Sequence, residues 1–223
     1  MLLNVLNEWC SKWQVSVNRT KSKIIHFRQA NVECSKHRFK VGHISLDYTK
    51  VYEYLGTYLT EYLKFEDNVD TLAESGSRAL GAVVSKLKMN NCISYKIYTK
   101  LYESCVTPVL DYAAEVWGYK NYSKPNNVQN KAMRIFMGVH RFAPIAGLEG
   151  DMAWMCPQYR RWLAMLRFWN KLIKMDNTRL VKRIFEWSHA QALRGKQNWC
   201  KDMLEILKEM DSFFENKSRF RNL

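Results

Sequence analysis

The chain has 223 residues, 47% of them apolar and 13% aromatic, enough to bury a sizeable core and too many for a disordered polymer. Its 35 Lys and Arg outnumber 21 Asp and Glu, a formal net charge of +14 that favours an anionic partner over an acid-repelling one. No apolar run approaches the ~20 residues of a membrane span, and the opening MLLNVLNEWC is interrupted by Asn4, Asn7 and Glu8, which makes a poor secretion signal.

The cationic surplus is uneven: 9 cations against 5 carboxylates over 1–63, 11 against 8 over 64–150, and 15 against 8 over 151–223. Six cysteines, at 10, 34, 92, 105, 156 and 200, never form a Cys-x-x-Cys pair. Reduced thiols and an intracellular location, nuclear or cytoplasmic, are therefore expected.

Leu2, Leu3, Val5, Leu6, Trp9 and Trp13 recur at helical spacing and predict an amphipathic helix at the start. The period then changes. QVSV (14–17) and KIIHF (23–27) read as short strands around an Asn18-Arg19-Thr20 turn that carries three cations, Arg19, Lys21 and Lys23. RFKVGHISL (38–46) predicts a hairpin turning at Gly42-His43. VYEYLGTYL (51–59) predicts two strands bent at Gly56, a bulge or a close backbone approach.

From Phe65 the pattern is helical. Phe65, Val69, Leu72, Ala73, Ala79, Leu80, Val83 and Leu87 lie on one face of a long helix. A second helix is expected over 94–106, broken before Pro108, and a third in VLDYAAEVWG (109–118) with Gly118 as its stop. A fourth covers 127–137. FAPIAGLEGDMAWMCP (142–157), with two prolines and two glycines, reads as a connector. Three more amphipathic helices follow, in 157–175, 178–192 and 198–210, before a tail (215–223) expected to fray. The fold class is α+β: a small antiparallel β segment over 1–63, a helical bundle over 64–142 and a basic helical region over 143–223.

Two-metal phosphoryl transfer needs converging carboxylates, and there is no Asp-Asp or Asp-x-Asp in the chain. Asp67 and Asp70, beside Glu66 and Glu74, read as an acidic first turn that complements a helix dipole. Cys34, His37 and His43 lack the fourth member of a zinc set. No metal site is expected. Binding features are stronger. Arg160, Arg161, Arg167, Lys171 and Lys174 are interleaved with Trp162, Phe168 and Trp169, and are followed by Arg179, Lys182 and Arg183. Such a stripe either meets phosphates or forms a solvated basic face. Trp9, Trp117, Trp154, Trp162, Trp169, Trp187 and Trp199 read as core.

Taken together, these segments resemble one family. LNEWCSKWQVSVNRTKSKIIHF (6–27) is similar to the stretch just after the catalytic aspartate pair in reverse transcriptases of non-LTR (LINE-type) retrotransposons, where a Trp-bearing helix leads into Asn-x-x-Lys-[Ser/Thr] and a strand. Here Asn18, Lys21, Ser22 and Phe27 match it. YEYLGTYL resembles the family's primer grip at Tyr54, Leu55 and Gly56. LYESCVTPVLDYAAEVWG and VQNKAMRIFMGV resemble the thumb and the helical region beyond it, and APIAGLEGDMAWMCPQYRRWLAMLRFWNKL resembles the downstream region.

The resemblance implies that residues 1–63 end a palm and that 64–142 form a thumb. It also implies that Lys21, with Lys23 in the same turn, stands near an incoming triphosphate, and that Gly56 lets the backbone approach a primer. In family order the metal-binding aspartates precede Met1. The resemblance therefore implies a truncated RNA-directed DNA polymerase, inactive alone, that binds no cofactor itself although the complete enzyme would need Mg²⁺. Its partners would be RNA or an RNA–DNA duplex, with no membrane and with a possible separate catalytic half. Its nucleic-acid contacts would be Lys21, Lys23, Tyr54, Leu55, Gly56, Arg160, Arg161, Arg167 and Lys171. The alternatives are a co-opted RNA- or DNA-binding or protein-interaction helical module, or a pseudogene product without activity.

Overall fold

A computed structural model describes residues 2–18, 20–89 and 94–220, with side chains apart from those of Leu2 and 212–220. Arg19 of the cationic turn, Cys92 and the last three residues of the tail lie outside the described residues. The chain divides into two compact units, 1–68 and 69–223. It is α+β, with short strands confined to the N-terminal region and helices thereafter.

The first unit opens with helix α1 (Leu2–Lys12) and continues, among the described residues, into six short strands: β1 (Lys23–Ile24), β2 (Lys40–Val41), β3 (Ile44–Ser45), β4 (Asp47–Tyr48), β5 (Val51–Tyr54) and β6 (Thr57–Thr60). These make three separate pairs, not one sheet. β2–β3 and β5–β6 are antiparallel hairpins, but β1 pairs with β4 in parallel, Lys23 opposite Asp47. The expected hairpin of QVSV with KIIHF is thus replaced. Gln14 turns the chain at φ 53, and the Asn18 side chain binds the backbone of Thr20 and Lys21, so 15–18 belong to a turn and not a ladder.

Hairpin β2–β3 turns at Gly42 (φ 57), as the sequence predicts. A Cβ on Gly42 would stand 2.5 Å from the Asn7 amide oxygen, so the glycine also lets α1 lie against this turn. At the β5–β6 turn both central residues, Leu55 (φ 50) and Gly56 (φ 76), have positive φ, the geometry of a type I′ two-residue hairpin. Gly56 therefore marks neither a bulge nor a bend: the turn itself requires it.

Polar contacts hold this unit. The Arg28 guanidinium meets Glu61 at 2.8 Å, with both side chains nearly buried, and donates to the Val32 carbonyl at 2.6 Å. The Ser35 amide donates to His26 Nδ1 (3.1 Å), Tyr48 Oη to the His37 carbonyl (2.9 Å), and the Tyr58 amide to buried Asn68 (3.0 Å).

The second unit carries α2 (Glu66–Met89), whose buried residues Val69, Leu72, Ala73, Leu80, Val83 and Leu87 are those the periodicity predicts. Next, α3 (Tyr95–Leu101), capped by Ser94, runs into a π-helical segment (Tyr102–Val106) and then α4 (Thr107–Leu110). The helix does not break before Pro108. A proline ring collides with the carbonyl four residues back and lacks an N–H, and widening to i→i+5 bonding, with the Thr107 amide on the Tyr102 carbonyl, accommodates both.

The expected helix 109–118 is split. Asp111 ends α4, Ala113 takes φ 53, and α5 (Ala114–Trp117) stops at Gly118. Then come α6 (Ser123–Met137), closed by Gly138 at φ 64, α7 (Ile145–Asp151), α8 (Pro157–Ile173), α9 (Leu180–Leu193) and α10 (Trp199–Phe220). Helix α7 occupies what reads as a connector, because Pro144 starts it and its two glycines face open space. The tail stays helical to Phe220.

Two apolar clusters stabilise these helices. In the first, Phe136, Tyr98, Trp154 and Tyr102 form a run of stacked rings, with centroids 5.1, 6.1 and 4.3 Å apart, packed with Leu80, Val106, Leu110 and Met133. The second joins α8, α9 and α10 through Trp162, Met165, Trp169, Phe185, Cys200 and Met203. Of the tryptophans expected in the core, Trp9 and Trp187 are instead exposed, at 53% and 67%.

Candidate nucleic-acid interface

In the first unit the turn after α1 is built around Asn18. Its side-chain oxygen accepts from the Thr20 and Lys21 amides (3.1 Å each) and from Thr20 Oγ1 (2.8 Å). Tyr52 Oη on β5 donates to the Lys21 carbonyl at 2.7 Å and ties this turn to the β5–β6 hairpin. The structure thus connects Lys21 to the strand that leads to Tyr54, Leu55 and Gly56, all exposed at the hairpin tip. Lys21 is exposed too. Lys23 is different: its Nζ lies 3.0 Å from Asp47 across the parallel pair, so an anion within the chain already answers this cation.

In the second unit the cationic stripe separates into two groups. Arg161 is fully buried. Its Nε donates to Asp111 Oδ1 and its Nη1 to Asn126, each at 3.0 Å, and its guanidinium lies 5.3 Å over the Trp117 ring. Arg160 meets the other Asp111 oxygen through Nε and Gln129 through Nη1 at 2.7 Å. Gln129 Nε2 donates to the Met155 carbonyl at 2.9 Å, and the Tyr102 hydroxyl donates to Gln129 Oε1 at 3.4 Å. Burial pushes the Arg161 guanidinium down from its ordinary pKa, while Asp111 pulls it back up.

Neither arginine lies on an open stripe, contrary to the pattern read from α8. Consecutive positions on a helix diverge, but the split at Asp111–Ala113 delivers one carboxylate between both guanidinia. They form a clasp joining α8 to α4 and α6. Sequence reasoning missed Asp111, whose one signal is an isolated acid in an apolar run shortly after a proline.

Arg167 and Lys171 on α8 and Lys174, which caps its end, are exposed at i, i+4 and i+7, and Arg179, capping the start of α9, and Arg183 on it are exposed too. Among the described residues none of these five has an acidic partner. Lys182, in contrast, is buried, donates to the Ile173 carbonyl at 2.9 Å and lies 3.5 Å from Glu186. Trp187, one turn beyond Arg183, adds an exposed ring to this side of the unit.

Between α6 and α7 a short turn carries His140, Arg141 and Phe142, all exposed, which sequence reading passed over. The described residues contain no group of three or more His, Cys, Asp or Glu side chains able to hold a metal ion. Asp70 is engaged by Lys124. Among the described residues no helix is long and apolar enough to cross a membrane.

No family model matches the chain, and no solved structure matches it. Over 153 residues the chain is 28% identical to the RNA-directed DNA polymerase from mobile element jockey of Drosophila funebris, and 22% identical to that of Drosophila melanogaster. The matched region is 67% of this chain but 16% of each of those proteins. The chain is thus related to the reverse transcriptases of LINE-type, non-LTR mobile elements.

Proposed function

We propose that the chain is a nucleic-acid-gripping part of such a reverse transcriptase, working inside the cell, in nucleus or cytoplasm, on RNA or an RNA–DNA duplex. The observation that carries this reading is the set of exposed, acid-free cations Arg167, Lys171, Lys174, Arg179 and Arg183 on α8 and α9 of a chain related to jockey polymerases. Cations without internal carboxylates release counterions when they meet phosphates, which gives affinity with a steep salt dependence.

In the first unit, Lys21 and the Tyr54-Leu55-Gly56 tip form a second candidate contact, with Lys23 a weaker one because of Asp47. By itself the chain does not extend a primer. The absence of any Asp-Asp or Asp-x-Asp supports that half of the proposal, and Mg²⁺ would act on carboxylates of a separate catalytic portion. Fluorescence anisotropy with an RNA–DNA hybrid, titrated with salt, tests the grip. Replacing Arg167, Lys171 and Lys174 by Glu should weaken binding and flatten the log–log salt slope by about 2–3, near 0.9 for each phosphate that is no longer neutralised. An unchanged slope would reject this surface, and primer extension by the isolated chain would reject the claim of inactivity.

One observation favours the protein-interaction reading. Leu180, Val181, Ile184 and Trp187 leave an apolar face of α9 exposed by 51–67%. Concentration-dependent sedimentation abolished by Ile184→Glu would select it.

A further inference from the structure

A singly exposed apolar side chain is ordinary on a protein surface. Phe142 is not of that kind. It is 75% exposed, the highest value among the described large apolar residues, yet the backbone that carries it is held firmly. The Ala143 amide donates to the His140 carbonyl at 3.0 Å, closing a turn with Arg141 and Phe142 at its two centre positions. On one side Gly138 ends α6 in the left-handed region, with the Val139 amide on the Arg134 carbonyl at 3.3 Å. On the other, Arg134 Nη2 donates to the Ala143 carbonyl at 3.4 Å, and Pro144 at φ −62 begins α7. The ring is presented by a fixed support.

Two side chains of the same turn, one cationic and one polar, stand against the ring. The Arg141 guanidinium carbon lies 4.7 Å from the ring centroid, and the His140 ring lies 5.0 Å away at 50°. A ring with a guanidinium over one face and a tilted imidazole nearby suits a ligand that lays a flat π-face on the other side and carries a phosphodiester. We propose that Phe142 is a stacking platform for one base of single-stranded RNA or DNA, with Arg141 and His140 placed for the adjoining phosphate. Duplex bases are stacked on each other and offer no free face, so the site takes an unpaired strand. Every base has a π-face, so the platform tolerates any sequence.

The inference rests on the reading that this chain binds nucleic acid, and the test separates the two. Anisotropy is measured with a labelled oligo-U strand and with an abasic strand of equal length, for the wild type, Phe142→Ala, Phe142→Trp and Phe142→Leu. Because the side chain is exposed, all four proteins are expected to fold, with circular dichroism as the check. Phe142→Ala should weaken oligo-U binding roughly 5- to 150-fold, leave abasic binding and the salt slope unchanged, and be rescued by Trp but not by Leu. Equal oligo-U affinity for wild type and Phe142→Ala, or rescue by Leu, overturns the platform while leaving the general reading intact. A wild type that binds neither oligo-U nor hybrid overturns both.

Discussion

Residues 1–68 and 69–223 are stabilised by different physics. In the first unit short strand pairs are held by side chains bonded to backbone: Asn18 to its turn, Tyr52 to Lys21, Tyr48 to His37, Arg28 to Val32. Val5, Leu6, Trp9 and Trp13 remain 40–62% exposed. In the second, aromatic rings stack in the interior, and buried Arg161 lies inside a hydrogen-bonded network around Asp111. A polar hydrogen bond exchanges with water and nets about 1 kcal/mol, whereas a buried aromatic side chain contributes ~1.5–3 kcal/mol and excludes competitors. The helical unit should therefore protect its amides longer, and hydrogen exchange that found β5–β6 slower than α8 would break the contrast.

The largest expected effect sharpens it from the helical side. Asp111→Ala leaves fully buried Arg161 without its carboxylate and should cost about 3–5 kcal/mol in urea unfolding. Next comes Gly76→Ala on α2. The new Cβ would fall 2.3 Å from Leu110 Cδ2 and 2.7 Å from its Cγ, and Leu110 is fully buried and cannot yield, so about 1–3 kcal/mol should be lost despite alanine's better helix propensity.

A third effect is confined to alkaline pH. Burial raises the Tyr98 phenol to about 12, where its hydroxyl donates to the Ala132 carbonyl at 2.8 Å. The raised group contributes its full stability below pH 10, where the unfolded phenol is still protonated. That contribution is lost as pH rises toward 12. Tyr98→Phe should remove this part of the alkaline slope in denaturation curves from pH 9 to 12. The smallest effect belongs to the first unit. Lys23→Ala breaks a pair whose Asp47 is 71% exposed, and it should change stability by no more than about 0.5 kcal/mol.

The same contrast governs what the sequence disclosed. Helical periodicity is a collective signal, and α2, α6, α8, α9 and α10 were all legible from it, as was the Gly118 stop. The hairpin at Gly42 was legible because the glycine advertises positive φ, whereas Gly56 was read as a bulge or close approach and proved to be the second centre of a two-residue turn. The parallel pairing of β1 with β4 was not, since two residues hold no pattern and the partner is more than twenty positions away. The α8 cations show the limit at the candidate interface. Arg160, Arg161, Arg167 and Lys171 look alike in sequence, and only the left-handed Ala113, which positions Asp111, separates the clasped pair from the exposed one. The His140–Phe142 turn left just one trace, a glycine followed by a short cationic-aromatic run before a proline.

The π-helical segment at Tyr102–Val106 has a genetic corollary. One surplus residue is wound into that stretch, so deleting a single codon there would let it relax to ordinary α pitch while the helix beyond keeps nearly the same phase. Leu110 would stay opposite Gly76, and Asp111 would still face both guanidinia. A homologous gene with one codon fewer between Leu101 and Pro108 should consequently keep the counterparts of Asp111, Arg160 and Arg161 but not the proline, whose ring an unwidened turn would not admit.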